Sequence, residues 1–188
     1  MLYLHTLGDA LIKVGEKEIR PTAPLVFAAL LYLGMERGRR VPRTALQELL
    51  FPKVDERSGA HSLRQLLYKL RQLGAPIEAD ASSVTVQADL VCDDTAELSR
   101  TNGHSKNAER YALGFLPDYE PRLSDRYDEW IEQRRSSVGA EIRRQSSALA
   151  PGKLGAANGH DLRLGAPRGR EIQDVVQVGH GRRLRRER

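Results

Sequence analysis

Cysteine is nearly absent from this chain. Cys92 stands alone, which excludes an internal disulfide, and one thiolate cannot build a zinc cage by itself. Aromatic residues are scarce, with one Trp and three Phe, so any core must be built mainly from aliphatic side chains. Long apolar runs are missing as well. The longest, Ala-Ala-Leu-Leu-Tyr-Leu within Pro24–Leu33, falls well short of the roughly 20 residues that a membrane span needs. The opening Met1-Leu2-Tyr3-Leu4-His5 lacks the basic region and cleavage site of a secretion signal. Together these absences argue against membrane and disulfide-stabilised secreted classes, and predict a cytoplasmic protein with no membrane partner.

Catalytic constellations are lacking too. His5, His61, His104, His160 and His180 are scattered without ligand spacing, and no phosphate-cradling Gly-rich loop occurs. Cys92 has no His nearby, and its neighbours Asp93 and Asp94 disfavour a thiolate. Asp125, Asp128, Glu129 and Glu132 read as a solvated helix start rather than an acid/base pair. The expectation is a protein that is not an enzyme, with no cofactor and no metal.

What the chain does have is charge, unevenly spread. Of its net +5, residues 1–75 hold twelve Lys and Arg against seven Asp and Glu, whereas residues 76–150 hold nine against fourteen. The final 38 residues are basic again, nine against four. A basic block followed by an acidic one suggests one module that faces phosphate and another that faces protein or solvent.

Strand-like text opens the chain, with Leu2, Leu4, Leu11, Ile12 and Val14 in short runs and a turn at Gly15-Glu16-Lys17. A helix follows, with Thr22 as the expected N-cap, Pro24 in its first turn and an apolar face from Leu25 to Leu33. After the basic loop Arg37-Gly38-Arg39-Arg40 comes a short helix, Arg43–Phe51, stopped by Pro52. The next helix, Glu56–Leu73, carries Ala60, Leu63, Leu66, Leu67, Leu70 and Leu73 at helical spacing. Ile77–Leu90 returns to strand text, with Val84, Val86, Ala88 and Leu90 alternating beyond a turn at Asp80-Ala81-Ser82-Ser83. Beyond Cys92 the text reads as helical, in the pieces Asp93–Ser99, Asn107–Phe115 and Ser124–Ala148 around a polar linker, Ser99–Asn107. The predicted fold class is therefore α+β: a winged helix-turn-helix with an N-terminal antiparallel sheet over residues 1–91, then an incomplete all-α helical region over 92–148.

On a wheel of ~100° per residue, the face of Glu56–Leu73 opposite the leucines holds Arg57, His61, Arg64, Gln65, Tyr68 and Gln72, flanked by Lys69 and Arg71. No acidic residue follows Glu56 in this helix. Such a face suits the DNA major groove, where Arg bonds guanine O6 and N7 together and Gln pairs with adenine N6 and N7. Early residues of a recognition helix usually touch bases and later ones the backbone. Arg57, His61, Arg64 and Gln65 are thus expected at bases, and Tyr68, Lys69 and Arg71 at phosphates. Arg39, Arg40 and Arg43 are candidates for further phosphate contacts beside the groove, the alternative being a solvated connection. A minor-groove wing ordinarily offers Arg or Lys, whereas this hairpin offers Glu78, Asp80 and Ser83, which argues against contacts there.

Two stretches carry a family resemblance. Arg40-Val41-Pro42-Arg43-Thr44-Ala45-Leu46, with Leu50-Phe51-Pro52 and His61-Ser62-Leu63-Arg64-Gln65-Leu66-Leu67-Tyr68-Lys69-Leu70-Arg71, resembles the OmpR-like DNA-binding domain of the Streptomyces antibiotic regulatory protein (SARP) family. Tyr111-Ala112-Leu113-Gly114-Phe115-Leu116-Pro117 and Asp128-Glu129-Trp130-Ile131-Glu132-Gln133-Arg134-Arg135 are similar to the opening of the bacterial transcriptional activator domain, a TPR-like helical repeat. Pro42 and Phe51 depart from the family's common Ser and Trp. The resemblance implies binding to double-stranded DNA, pairing of two protomers as a homodimer on direct repeats, and recruitment of RNA polymerase as a protein partner.

From Pro151 the character changes. The last 38 residues hold no Phe, Tyr or Trp, and nine of them are Gly or Pro, too little apolar surface to offset the entropy of ordering. Residues 149–188 are expected to be a disordered basic tail. A frameshift in a GC-rich gene would produce this composition, the alternative being a genuine non-specific nucleic-acid tail. Two further alternatives stand beside the DNA-binding regulator. One is a protein-interaction module on a winged-helix scaffold, and the other is a truncated regulator that binds DNA without activating.

Overall fold

Alternation and turn chemistry build the first three strands, β1 (Leu2–His5), β2 (Leu11–Val14) and β3 (Lys17–Ile19), into an antiparallel meander. Leu2, Leu4, Ile12 and Val14 turn one apolar face inward and are essentially buried. Against that face lies α1 (Pro24–Met35), in which every residue from Val26 to Leu31 is buried. Such a helix is apolar all round because it is covered all round. Gly34 is where it comes closest to β1: a Cβ there would stand 3.0 Å from a Leu4 methyl and 3.1 Å from a Leu2 methyl. The cap of α1 differs from expectation. Ala23, not Thr22, occupies the N-cap position without a side-chain bond, and Pro24 alone supplies the local start signal.

The chain then runs through β4 (Val41–Pro42), α2 (Arg43–Leu50) and α3 (Glu56–Gln72) into the hairpin β5 (Ile77–Ala79) and β6 (Ser83–Val86). These strands form a second, antiparallel sheet in the order β4-β6-β5. Alternation holds as far as Val84 and Val86, but Ala88–Leu90 is a 3-10 turn and not a continuation of the strand. That turn feeds β7 (Val91–Asp93), which pairs parallel with β1. The N-terminal sheet is consequently mixed, in the order β3-β2-β1-β7, and not purely antiparallel. The helical reading beyond Cys92 is corrected by the same strand, since Cys92 and Asp93 belong to β7.

The computed structural model describes residues 1–101 and 108–148. The expected linker beyond Thr101, the expected tail 149–188 and its frameshift reading lie outside the described residues. Within them follow α4 (Asp94–Thr101), the short α5 (Ala108–Ala112) and the long α6 (Asp125–Ala148). Ser124 caps α6, its Oγ accepting from the Tyr127 amide at 3.1 Å while donating to the Leu49 carbonyl at 2.7 Å. That one hydroxyl both starts α6 and fastens it to the end of α2.

Residues on both sides of position 91 share one hydrophobic cluster. Tyr127, fully buried, donates its hydroxyl to the Ala28 carbonyl of α1 at 3.2 Å. Trp130 packs between Tyr32 and Tyr127 at ring separations of 5.0 and 5.5 Å. Phe27 meets Tyr119 edge-on at 5.0 Å. Aromatics are few in this chain, and these sit where α6 and its approach meet α1, with Phe27, Tyr119 and Tyr127 buried and Tyr32 and Trp130 partly so. Among the described residues no helix is long and apolar enough to cross a membrane.

Candidate nucleic-acid interface

The site is built on α3, and α3 is built on leucine. Leu63, Leu66, Leu67 and Leu70 are buried, fixing which side of the helix turns outward. Asp55 starts the helix by accepting the Ser58 amide at 3.1 Å, with Glu56 in the first turn and Lys69 and Arg71 in the last. All three charge placements agree with the helix dipole.

A second device sets α3 against α2. Gly59 is buried, and a Cβ there would lie 2.5 Å from Gln47 Nε2 and 3.0 Å from its Cγ. The Gln47 side chain crosses the space left by Gly59 and donates to the Glu56 carbonyl at 2.9 Å. Ala60, expected in the buried stripe, is only half-buried, because the contact with α2 is made one residue earlier. Sequence reasoning passed over Gly59. A glycine inside an otherwise good helix is the signal that could have found it.

Arg57, His61, Arg64, Gln65, Tyr68, Lys69, Arg71 and Gln72 all lie on the outward side of α3, as the periodicity predicts, and all are exposed. Tyr68 leaves 65% of its surface open, an unusual display for an aromatic side chain. Among the described residues no ion pair involves Arg57, Arg64, Lys69 or Arg71. Arg64 instead folds its Nε back toward the Ala60 carbonyl at 3.4 Å. Gln65 Nε2 donates to the His61 ring Nε2 at 2.9 Å.

The other arginine candidates are differently placed. Arg39 bonds Glu36 at 2.6 Å at the end of α1. Arg40 pairs with Asp80 in the β5–β6 turn and donates its Nε to Ser83 Oγ at 3.2 Å. Arg37, most of its side chain covered, reaches the buried Asp93 at 3.1 Å. Arg43 is half-buried, its amide donating to the Ser82 carbonyl at 2.9 Å, and its Nε is enclosed without a hydrogen-bond partner. Asp80 organises this corner. Its carboxylate accepts the amides of Ser82 and Ser83, each at 2.7 Å, together with both hydroxyls, which hold the carboxyl well below the usual carboxylate range.

Glu36 plays a similar part at α6. It accepts from Arg134 at 2.6 Å and from the Trp130 indole N–H at 3.5 Å, while the Arg134 guanidinium lies 5.6 Å from the Trp130 ring. Burial pushes the Glu36 carboxyl up, but the bonds from Arg134, Trp130 and Arg39 outweigh it and leave the group below its ordinary 4.5. At the β7–α4 junction, Asp94 accepts the Thr6 and Leu7 amides at 2.8 and 2.9 Å, tying the end of β1 in place. Burial raises the Asp94 carboxyl above its ordinary value in spite of those bonds.

Among the described residues no group of three or more His, Cys, Asp or Glu is placed to hold a metal ion. Comparison with known proteins found no family model, no curated protein and no solved structure that matches the chain.

Proposed function

We propose that this chain binds double-stranded DNA through α3 and regulates transcription, acting as a regulator and not as an enzyme. The observation that carries the reading is the outward face of α3: four exposed cations without a carboxylate partner among the described residues, interleaved with His61, Gln65 and Tyr68. A cation with no internal partner gives up no ion pair when it meets a phosphate, and each neutralised phosphate releases condensed counterions. The B-DNA major groove is wide enough to admit an α-helix.

In this reading α2 and α3 form the helix-turn-helix, with Gln47 and Gly59 setting their separation, and the β5–β6 hairpin is the wing. Arg57, His61, Arg64 and Gln65 read base edges, while Tyr68, Lys69 and Arg71 meet the backbone. The resemblance to SARP regulators supports the same order of elements. It extends the proposal to a cytoplasmic protein with two protomers on direct repeats and RNA polymerase as a protein partner.

Arg39 and Arg40 are secondary in this scheme. To reach phosphate each must leave an acid, trading one ion pair for another, and an exposed pair is worth about 0–1 kcal/mol. Their net gain is small, and the abandoned carboxylate repels the DNA.

Fluorescence anisotropy of a labelled duplex, titrated with the full chain over a salt series, tests the reading. The expected result is a log K that falls linearly with log salt, with a slope of about −0.9 per phosphate contacted. No binding at low salt by a chain shown to be folded would overturn it and favour a protein-interaction module.

A further inference from the structure

The last turn of α3 ends against the N-terminal sheet. Leu73, Gly74 and Ala75 turn their amides back onto the carbonyls of Lys69, Arg71 and Leu70 at 3.0, 2.9 and 3.1 Å. The Gln72 carbonyl is met from outside the helix: Lys17, at the start of β3, donates its Nζ to it at 3.3 Å across 55 residues of chain. A second contact brings the β2–β3 hairpin to the same spot, since a Cβ on Gly74 would stand 3.9 Å from a Val14 methyl. A cation at a helix C-terminus offsets the negative end of the dipole. An ammonium carries three hydrogens, so one bond to a carbonyl leaves two for another acceptor.

Helix α3 is longer than a groove is wide. Its 17 residues rise ~25 Å at ~1.5 Å each, about twice the ~12 Å width of the B-DNA major groove. With Arg57 to Gln65 in the groove, the C-terminal end overhangs the edge and crosses the sugar-phosphate backbone. We propose that the β2–β3 hairpin is part of the nucleic-acid interface, with Lys17 bridging the Gln72 carbonyl to a phosphate beyond those met by Lys69 and Arg71. The proposal rests on the DNA-binding reading above and adds to it a contact from outside the helix-turn-helix and the wing. Without Lys17, the carbonyl end of α3 would face the phosphates it crosses with its partial negative charge uncompensated.

Lys17 is exposed and forms no ion pair among the described residues. Like the cations of α3, it gives up no carboxylate to meet a phosphate. The other cations of the hairpin are engaged: Lys13 pairs with Glu18 at 3.1 Å, and Arg20 lies 3.6 Å from Asp9 and 3.7 Å from Glu18. Glu16, beside Lys17 in the turn, is exposed and acts against the backbone contact. The gain from Lys17 therefore comes from its place at the end of α3, and not from a basic hairpin.

The test uses the full chain and a duplex that it selects from a pool with about 20 randomised base pairs, enough for two half-sites a helical turn apart. Salt slopes of binding are compared for the parent, Lys17→Ala and Lys13→Ala, two variants that remove the same charge from the same hairpin. Lys17→Ala should lower the slope by about 0.9 for each bound protomer, and Lys13→Ala by much less. Ethylation of single phosphates supplies the second readout. At one phosphate flanking the groove, ethylation should weaken binding of the parent and leave binding of Lys17→Ala unchanged. If Lys17 only caps α3, its removal lowers the thermal midpoint while slope and ethylation pattern stay those of the parent, and that result overturns the inference. Equal slopes for Lys17→Ala and Lys13→Ala overturn it likewise, since net charge alone would then account for the effect. Either result leaves DNA binding through α3 standing, whereas failure of the folded parent to bind any duplex at low salt overturns both.

Discussion

Two basic stretches of this molecule look alike as text and behave oppositely as structure. The segment from Arg37 to Arg43 holds four arginines in seven residues, and α3 spreads four cations over seventeen. In the first, Arg37, Arg39 and Arg40 are bound to Asp93, Glu36 and Asp80. In the second, among the described residues, no cation has an acidic partner. Local density of charge is thus a poor guide to charge available for a ligand. What decides is whether the fold brings a carboxylate to the cation, and in the first segment it brings one from 40 residues away in Arg40 and from 56 in Arg37.

The outward face of α3 should be the most sensitive to substitution. Replacing Arg64 and Gln65 together by Ala should cost about 1–3 kcal/mol for each bidentate bond to a base that the pair supplies, and should relax sequence preference. Competition between specific and random duplexes measures it. Charge removal at Arg39 and Arg40 should leave that preference intact.

Next in size is the support beneath α3. Gly59→Leu would drive a side chain into the space that Gln47 occupies, and overpacking of a built contact typically costs about 1–3 kcal/mol. Chemical denaturation should show the lower stability, and duplex binding should weaken even though every cation remains.

A third prediction uses pH. The folded Glu36 carboxyl sits below its ordinary 4.5, so its contribution is complete above that value and is lost as pH falls through the folded value. Thermal unfolding of Glu36→Gln should fall short of the parent chain near neutrality, and the gap should close progressively below about pH 4.5. Asp94 contributes with the opposite sign: its raised carboxyl favours the fold at low pH and loses that advantage as pH rises.

The arginine loop should respond more weakly. Asp80→Asn releases Arg40 and turns one paired cation of the loop into an unpaired one. The salt slope for duplex binding should steepen by about one phosphate equivalent, while the β5–β6 turn loses charge-assisted acceptance and the thermal midpoint drops.

Much of this was legible because it is local. The face of α3 follows from the spacing of Leu63, Leu66, Leu67 and Leu70, and Pro24, Pro52 and the Asp80–Ser83 turn mark ends that the structure keeps. What the text did not yield is what depends on distant partners. Three residues, Val91–Asp93, are too short to announce a strand, and their pairing with β1 is made across nearly the whole described N-terminal half. Asp94 bonds Thr6 over 88 residues of chain, with no local pattern to mark it. The pairs of Arg37 with Asp93 and Arg40 with Asp80 were hidden for the same reason, whereas Arg39 and Glu36 are only three residues apart. Gly59 was hidden by its setting, an amphipathic helix whose leucines drew attention from a position where the Gln47 side chain of α2 comes close.

If α3 meets DNA as proposed, its cations and not those of the arginine loop set the salt dependence of binding. Salt dependence of duplex binding tests it most directly, comparing the parent chain with Lys69→Ala/Arg71→Ala and with Arg39→Ala/Arg40→Ala. The account predicts that the first pair lowers the slope by nearly two, at about 0.9 per phosphate contact, and that the second changes it by much less. The reverse order, with the slope carried by Arg39 and Arg40 and untouched by Lys69 and Arg71, would contradict it.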